Sequence, residues 1–137
     1  MKVTRLHHVS GNVNGTDLEA LRTFYREVLG IPDEPRPEIP GIPGHWHALG
    51  DQQLHLVGAP PRGEGPDPTG PHFCVLVDDL ESAIAELEHR GLAYERAVQG
   101  AGTVQIWFTD PAGNTLELQQ DPAHRPLRRR PVSRAGR

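Results

Sequence analysis

The chain has 137 residues, a formal net charge of -4 and a single cysteine, Cys74. This length fits one compact domain with a continuous core, and no stretch approaches the ~20 apolar residues of a membrane helix. The first residues contain no apolar segment of the signal-peptide type, and a lone cysteine excludes an internal disulfide, so we expect a cytoplasmic protein. Cys74 lies in an apolar run and is expected to be a buried thiol.

The charge is unevenly distributed along the chain. Six of the 14 basic residues are arginines that follow Pro122, which leaves 8 basic and 18 acidic residues in positions 1–121. A body this acidic argues against general nucleic-acid binding, because phosphate contacts need a basic surface. Residues 122–137 are expected to form a disordered tail, with a binding arm as the alternative.

The first half of the chain predicts a strand, a helix and two further strands. Alternation over residues 3–13 indicates the first strand. Thr16 and Glu19 have the spacing of a capping box before an amphipathic helix that would end at Gly30. Residues 32–44 contain five prolines and are expected to form a loop or an irregular edge. Further strands are predicted over 45–49 and 53–57, before the Gly/Pro-rich linker 59–70.

The same order of elements returns after the linker. A helix is predicted after Asp78 or Asp79 as its cap, with Leu80, Ile84 and Leu87 facing inward. Strands are predicted over residues 71–77, around Tyr94, and over 104–108 and 115–119. The chain is therefore predicted as a single α+β domain, residues 1–121, built from two β-α-β-β-β modules in tandem. Module one would span about 1–58 and module two about 71–121.

The two modules carry metal-ligating residue types at matching positions. Leu6-His-His8-Val opens the first and Gly70-Pro-His72-Phe opens the second, while Leu-His55-Leu and Leu-Glu117-Leu lie near their ends. Because alternate residues of a strand share a face, these four side chains can converge on the concave face of a curved, mostly antiparallel mixed sheet. The sequence thus predicts a metal-lined cup with His8, His55, His72 and Glu117 as the ligands.

The other histidines have no such partners. His7 is expected to point away from the concave face, and His89 into solvent. His45 and His47 could line the mouth of the pocket or occupy ordinary positions on the sheet. Trp46 is expected in the core, with a ligand-facing orientation as the alternative.

These motifs resemble the vicinal oxygen chelate superfamily, which includes glyoxalase I, methylmalonyl-CoA epimerase, extradiol dioxygenases, fosfomycin-modifying enzymes and bleomycin-binding proteins. The resemblance covers roughly residues 3–120 and includes Phe24-Tyr-Arg-Glu-Val-Leu-Gly30 and Phe108-Thr-Asp-Pro-Ala-Gly-Asn-Thr-Leu-Glu117-Leu. It implies one divalent metal ion per site, and often a homodimer in which the cup belongs to one chain or is shared. His55 departs from the glutamate or glutamine of glyoxalase I and the epimerase, and Asn12 replaces an arginine of bacterial glyoxalase I.

The expected function is that of a divalent-metal-dependent lyase or isomerase. Three imidazoles and one carboxylate suit Zn²⁺, Ni²⁺, Fe²⁺, Co²⁺ or Mn²⁺. The metal would act as a Lewis acid on a small substrate bound through adjacent oxygens, with Glu117 as the general base. The alternatives are an Fe(II) extradiol-type dioxygenase, a fosfomycin-type resistance transferase and a metal-free antibiotic-binding protein.

Overall fold

A computed structural model of the protein describes residues 1–100 and 102–124, so the predicted disorder of the tail beyond His124 lies outside the described residues. The two helices are α1 (Leu18–Thr23), which continues as a π-helical turn over Phe24–Val28, and α2 (Leu80–His89). The strands are β1 (Val3–Asn12), β2 (Asp33–Glu34), β3 (Gly44–Leu49), β4 (Gln52–Val57), β5 (His72–Val77), β6 (Glu95–Gln99), β7 (Thr103–Thr109) and β8 (Thr115–Gln120). No helix of the described ranges is long and apolar enough to span a membrane.

The strands form one mixed sheet in the order β2-β3-β4-β1-β5-β8-β7-β6. Each module contributes one half, and β1 and β5 pair antiparallel at the centre, so the two modules join within one chain. The pairs β1/β4 and β5/β8 are parallel and the remaining neighbours are antiparallel. The predicted α+β class and the β-α-β-β-β modules are confirmed.

The second module holds the main apolar core. The side chain of Asp79 accepts a hydrogen bond from the amide of Ser82 (3.1 Å) and caps α2, as predicted. The buried face of α2 packs on the sheet, and the cluster comprises Val77, Leu80, Ala83, Ile84, Leu87, Ile106 and Leu118. Each fully buried large aliphatic side chain stabilises the fold by roughly 1.5–3 kcal/mol, so this packing fixes the sheet of module two.

The first helix differs from its prediction. Its cap is Asp17, whose carboxylate accepts a hydrogen bond from the amide of Ala20 (2.9 Å), so the expected capping box of Thr16 and Glu19 is wrong. The amide of Leu29 donates to the carbonyl of Phe24, five residues earlier, and this π-type turn shifts the phase of the side chains. Phe24 is 47% exposed, and Tyr25 is the more buried of the two aromatic residues in this turn.

A polar contact ties the two ends of the described fold together. The hydroxyl of Thr4 on β1 donates to Asp121, which follows β8, across a distance of 2.7 Å. The amide of Asp121 donates to the carbonyl of Val77 on the intervening strand β5 (2.8 Å). The first strand of module one is thereby anchored, across β5, to the segment that follows the last strand of module two.

Candidate metal centre

Three of the four predicted ligands converge on the concave face of the sheet. His8, His72 and Glu117 lie on β1, β5 and β8, and their side chains are only 3%, 4% and 1% exposed. The Oε2 atom of Glu117 is 3.1 Å from Nε2 of His8 and 3.6 Å from Nε2 of His72, and the two imidazole nitrogens are 3.4 Å apart. The central pairing of β1 with β5 and of β5 with β8 brings these residues together.

We call the three candidate metal ligands, His8, His72 and Glu117, the donor group. Each of them contacts a neighbouring polar group. The Nδ1–H of His72 donates to the carbonyl of Gly70 (2.9 Å), which leaves Nε2 free to face Glu117. The side-chain amide of Gln119 donates to Oε1 of Glu117 (2.6 Å), and Nδ1 of His8 contacts Nδ1 of His7. Ligating histidines in metalloproteins commonly use their second ring nitrogen in this manner.

The chemistry of this donor group fits a divalent transition metal. Burial alone would raise the pKa of Glu117, but the neighbouring imidazoles of His72 and then His8 lower it below its usual range, so the carboxylate is ionised. All three ligand atoms lie within 4.8 Å of one another. Two imidazole nitrogens and a carboxylate oxygen suit ions such as Zn²⁺, Ni²⁺ or Fe²⁺, and a bound cation would compensate the buried negative charge.

His55 lies beside this group without joining it. Its ring is stacked between Trp46 (centroids 4.2 Å apart) and His8 (3.8 Å), and its Nε2 atom contacts the side-chain oxygen of Gln53 at 2.8 Å. Burial, and then the proximity of His8, lower the pKa of His55 to about 2. The rings of His8 and His55 are inclined by only 19°, so their in-plane lone pairs lie in nearly parallel planes rather than converging on one point. The four-ligand set therefore stays a prediction that requires His55 to leave Gln53.

His7 is placed differently from the expectation, which was wrong. A register shift between Leu6 and His8 in the β1/β5 ladder marks a bulge, and both His7 and His8 line the cavity above the sheet. Burial and His8 lower the pKa of His7. His7, His8 and Cys74 form a second group of close donors. Burial, together with the charge of Glu117, raises the pKa of the Cys74 thiol, which is 0% exposed and protonated as expected.

The donor group lies in a cavity of about 600 Å³. Trp46 and Trp107 both line it, so the ligand-facing alternative for Trp46 is the one that the structure shows. The Trp107 ring meets His72 edge-on, with centroids 4.8 Å apart. Within the described residues, Nε1 of Trp107 and Oγ of Ser10 are buried without a hydrogen-bond partner, and both residues line the cavity. Such groups are available to a ligand.

Sequence reasoning did not single out Ser10 or Trp107 as site residues. A signal was present in their positions relative to the predicted ligands. Ser10 follows His8 by two residues, and thus shares its face in a regular strand, and Trp107 pairs with Glu117 across β7 and β8. Gln119 follows Glu117 by two residues in the same manner.

The remaining histidines lie away from the cavity. Nε2 of His45 contacts Oε1 of Glu19 on α1 at 2.6 Å. His47 is fully buried, with Nδ1 3.3 Å from the carbonyl of Ile31, so neither residue lines the pocket mouth. His89 is exposed at the end of α2, as predicted.

Asn12 has a structural task in this chain. Its side-chain amide donates to the carbonyls of Ala59 and Thr69, at 2.7 Å each, and its oxygen accepts from the amide of Asn14. These bonds fasten the linker between the modules onto the end of β1. An arginine at this position has no acceptor and could not take the bond from the Asn14 amide.

The chain belongs to the Glyoxalase/Bleomycin resistance protein/Dioxygenase superfamily, whose sequence model matches residues 5–118. Its fold is similar to that of methylmalonyl-CoA epimerase from Mycobacterium tuberculosis, with a TM-score of 0.67 and 20% identity over 88% of this chain and 91% of that one. It is also similar to a Streptomyces coelicolor methylmalonyl-CoA epimerase variant in complex with 2-nitronate-propionyl-CoA (TM-score 0.69, 17% identity, 88% and 99% coverage). A hypothetical protein from Bacillus halodurans C-125 gives a TM-score of 0.69 at 16% identity, with 90% and 98% coverage. No curated protein matches the chain.

Proposed function

We propose that this chain is a divalent-metal-dependent isomerase or lyase of the glyoxalase type, acting on a small substrate that binds the metal through adjacent oxygens. The observation that carries the proposal is the buried group of His8, His72 and Glu117 at the wall of an open cavity. The similarity to methylmalonyl-CoA epimerases, which are isomerases by name, supports the isomerase class over the others.

The residues of the cavity provide for binding and for proton transfer. When bound, the metal would act as a Lewis acid that stabilises negative charge developing on a substrate oxygen. Glu117 is the only carboxylate of the donor group, and we propose it as the base that removes a proton from the carbon next to the carbonyl. Gln119 holds one of its oxygens. The indole N–H of Trp107 and the hydroxyl of Ser10 are available to orient the substrate.

Metal binding is the first part of the test. Protein loaded in turn with Zn²⁺, Ni²⁺, Co²⁺, Mn²⁺ and Fe²⁺ should hold about one ion per chain and gain thermal stability, because an ion that binds only the folded state stabilises it. A His8→Ala/Glu117→Ala variant should lose both effects. A His89→Ala/Glu81→Ala variant makes the same chemical changes on the exposed side of α2 and should lose neither. No ion and no gain in stability would leave a metal-free binding protein.

The proton-transfer step is the second part. Wild-type protein with metal, incubated in D₂O with a panel of 2-oxo acids, 2-hydroxy acids and 2-methyl thioesters, should exchange the hydrogen next to the carbonyl of at least one class. Glu117→Gln should abolish this exchange, since the amide cannot accept the proton. Exchange at the wild-type rate in Glu117→Gln would exclude Glu117 as the base.

An Fe(II) extradiol-type dioxygenase is the second candidate. The observation that favours it is the composition of the convergent group, since two histidines and one carboxylate with open positions are the donor set of non-haem iron oxygenases. Oxygen uptake by the Fe²⁺-loaded protein with catechols, and none by the Zn²⁺-loaded protein, would support this function and displace the isomerase.

A further inference from the structure

Arg36 is the only arginine or lysine among the described residues that line the cavity. It lies on the proline-rich loop between β2 and β3, where Nη2 donates to the carbonyl of Ile42 (2.6 Å). A Cβ atom added at Gly44 would lie 3.3 Å from Cζ and Nε of Arg36, so the guanidinium packs over the backbone of Gly44. The loop and the first residue of β3 thus hold this charge at the wall of the cavity.

No acid of the described chain compensates Arg36. Arg22 pairs with Asp33 and Arg62 pairs with Glu95, but Arg36 forms no ion pair with any described residue. Partial burial lowers the pKa of the Arg36 guanidinium, and no nearby carboxylate opposes this effect. Glu38 also lines the cavity but is exposed. An arginine carries five N–H donors and stays protonated in proteins, so most of its donors are available to a ligand.

The position of Arg36 relative to the donor group sets the span of such a ligand. Gly44, beneath the guanidinium, and Trp46 are two residues apart on one face of β3, a separation of ~6.8 Å. Trp46 stacks on His55, which in turn stacks on His8. Arg36 and the donor group therefore lie at two ends of one cavity, separated by the Trp46–His55 stack.

We propose that Arg36 binds a carboxylate at the far end of the substrate, while the adjacent oxygens of the other end lie at His8, His72 and Glu117. This inference rests on the proposed function. It narrows the substrate to a small acid that carries a carboxylate at one end and a pair of metal-binding oxygens at the other. The planar guanidinium suits a carboxylate, because it can donate two parallel hydrogen bonds to the two oxygens.

Matched pairs of acids test this proposal. The probes are 2-oxoglutarate, 2-oxoadipate and 2-oxopimelate, each compared with the 2-oxo monoacid of equal chain length that lacks the distal carboxylate. Calorimetric titration of Zn²⁺-loaded wild-type protein should show one of the diacids binding about tenfold to a hundredfold tighter than its partner, the range expected for a charged hydrogen-bonded contact. Arg36→Gln should remove this preference and leave monoacid affinity unchanged. Arg62→Gln should keep the preference.

The outcomes separate this proposal from the proposed function. The preference for a diacid should persist, at lower overall affinity, in metal-free protein, since Arg36 supplies it. A protein that binds no metal but keeps the Arg36-dependent preference would contradict only the metal-dependent function. Equal affinities for every pair in wild-type protein, or a preference that survives Arg36→Gln, would overturn the anchoring role of Arg36. A change of monoacid affinity in Arg36→Gln would show that the loop has moved, and Arg36→Lys, which keeps the charge, should then retain part of the preference.

Discussion

The Nδ1 atoms of His7 and His8 lie 2.7 Å apart, although the two residues are consecutive on one strand. The rings meet edge-on, with centroids 5.1 Å apart. One Nδ1 must carry the hydrogen and the other must accept it, so His7 can accept the hydrogen of His8 Nδ1 when Nε2 of His8 binds a metal ion. His7 is therefore a positioning residue for the candidate metal centre.

Replacement of His7 should weaken metal binding without removing a ligand. We expect His7→Phe to lower the affinity for Zn²⁺ about tenfold to a hundredfold, the usual effect of losing a polar partner behind a ligating histidine. Competition with a chromophoric chelator measures this change. The absorption spectrum of Co²⁺-loaded protein tests the alternative. A thiolate-to-cobalt charge-transfer band that disappears in Cys74→Ser would mean that the ion binds to His7, His8 and Cys74 instead.

His55 should matter less to the metal than the three convergent residues. Because its Nε2 atom contacts Gln53 and its ring is held in a stack, we expect His55→Ala to reduce Zn²⁺ affinity by no more than about tenfold to a hundredfold, as for a neighbouring group. Removal of His72 should abolish stoichiometric binding. Equal losses in the His55→Ala and His72→Ala proteins, measured under the same conditions, would favour the four-ligand set predicted from the repeat.

Asp121 should make the stability of the fold sensitive to acid. A hydrogen bond from Thr4, followed by one from the amide of Ala123, lowers the pKa of Asp121 from 3.8 to about 2. A carboxyl with a lowered folded-state pKa stabilises the protein fully above its unfolded pKa, and this contribution is lost as the pH falls through the folded value. The urea concentration at which half of the wild-type protein is unfolded should thus decrease as the pH is lowered from about 4 to about 2.

In the Asp121→Asn protein, the urea midpoint should depend less on pH in this acid range. At neutral pH it should be lower than the midpoint of the wild-type protein. Asp51→Asn, in the turn between β3 and β4, serves as the matched control and should follow the wild-type curve. An Asp121→Asn protein whose midpoint declines over the acid range as steeply as wild type would assign the acid sensitivity to other carboxylates.

The back of the sheet carries an exposed apolar pair at its centre. Val9 and Phe73 are direct partners across β1 and β5, and are 39% and 38% exposed on the face opposite His8 and His72. We propose that this pair lies in a homodimer interface. Phe73→Lys should weaken dimerisation about tenfold or more, because a charge would be buried at the contact.

Light scattering coupled to size-exclusion chromatography measures the dimer over a concentration series. Leu92→Lys, which changes an exposed apolar residue just after α2, should leave the association unchanged. A wild-type protein that stays monomeric at the highest concentration would refute the dimer. The candidate metal centre would then be formed by a single chain without a partner.

The duplicated pattern of strands, helices and polar residues was enough to predict the fold and three convergent donors. That is because the period of two along a strand assigns each side chain to a face, and the repeat pairs the modules. The same rule failed at His7, since a bulge in β1 places two consecutive residues on the cavity side and bulges have no reliable sequence signal. It could not predict the stacking of His55 between Trp46 and His8 either, because that arrangement depends on side-chain torsions rather than on strand position.

The donors come from β1, β5 and β8, so the group combines one residue from the first described strand with one from the last described strand. During synthesis His8 is made well before Glu117, which lies in the last strand of module two. Neither module alone contains the complete group, and a nascent chain that ends before β8 has none of its negative charge at this position. Capture of an ion in this geometry would therefore report that the whole domain has folded, and a truncated chain would be left without it.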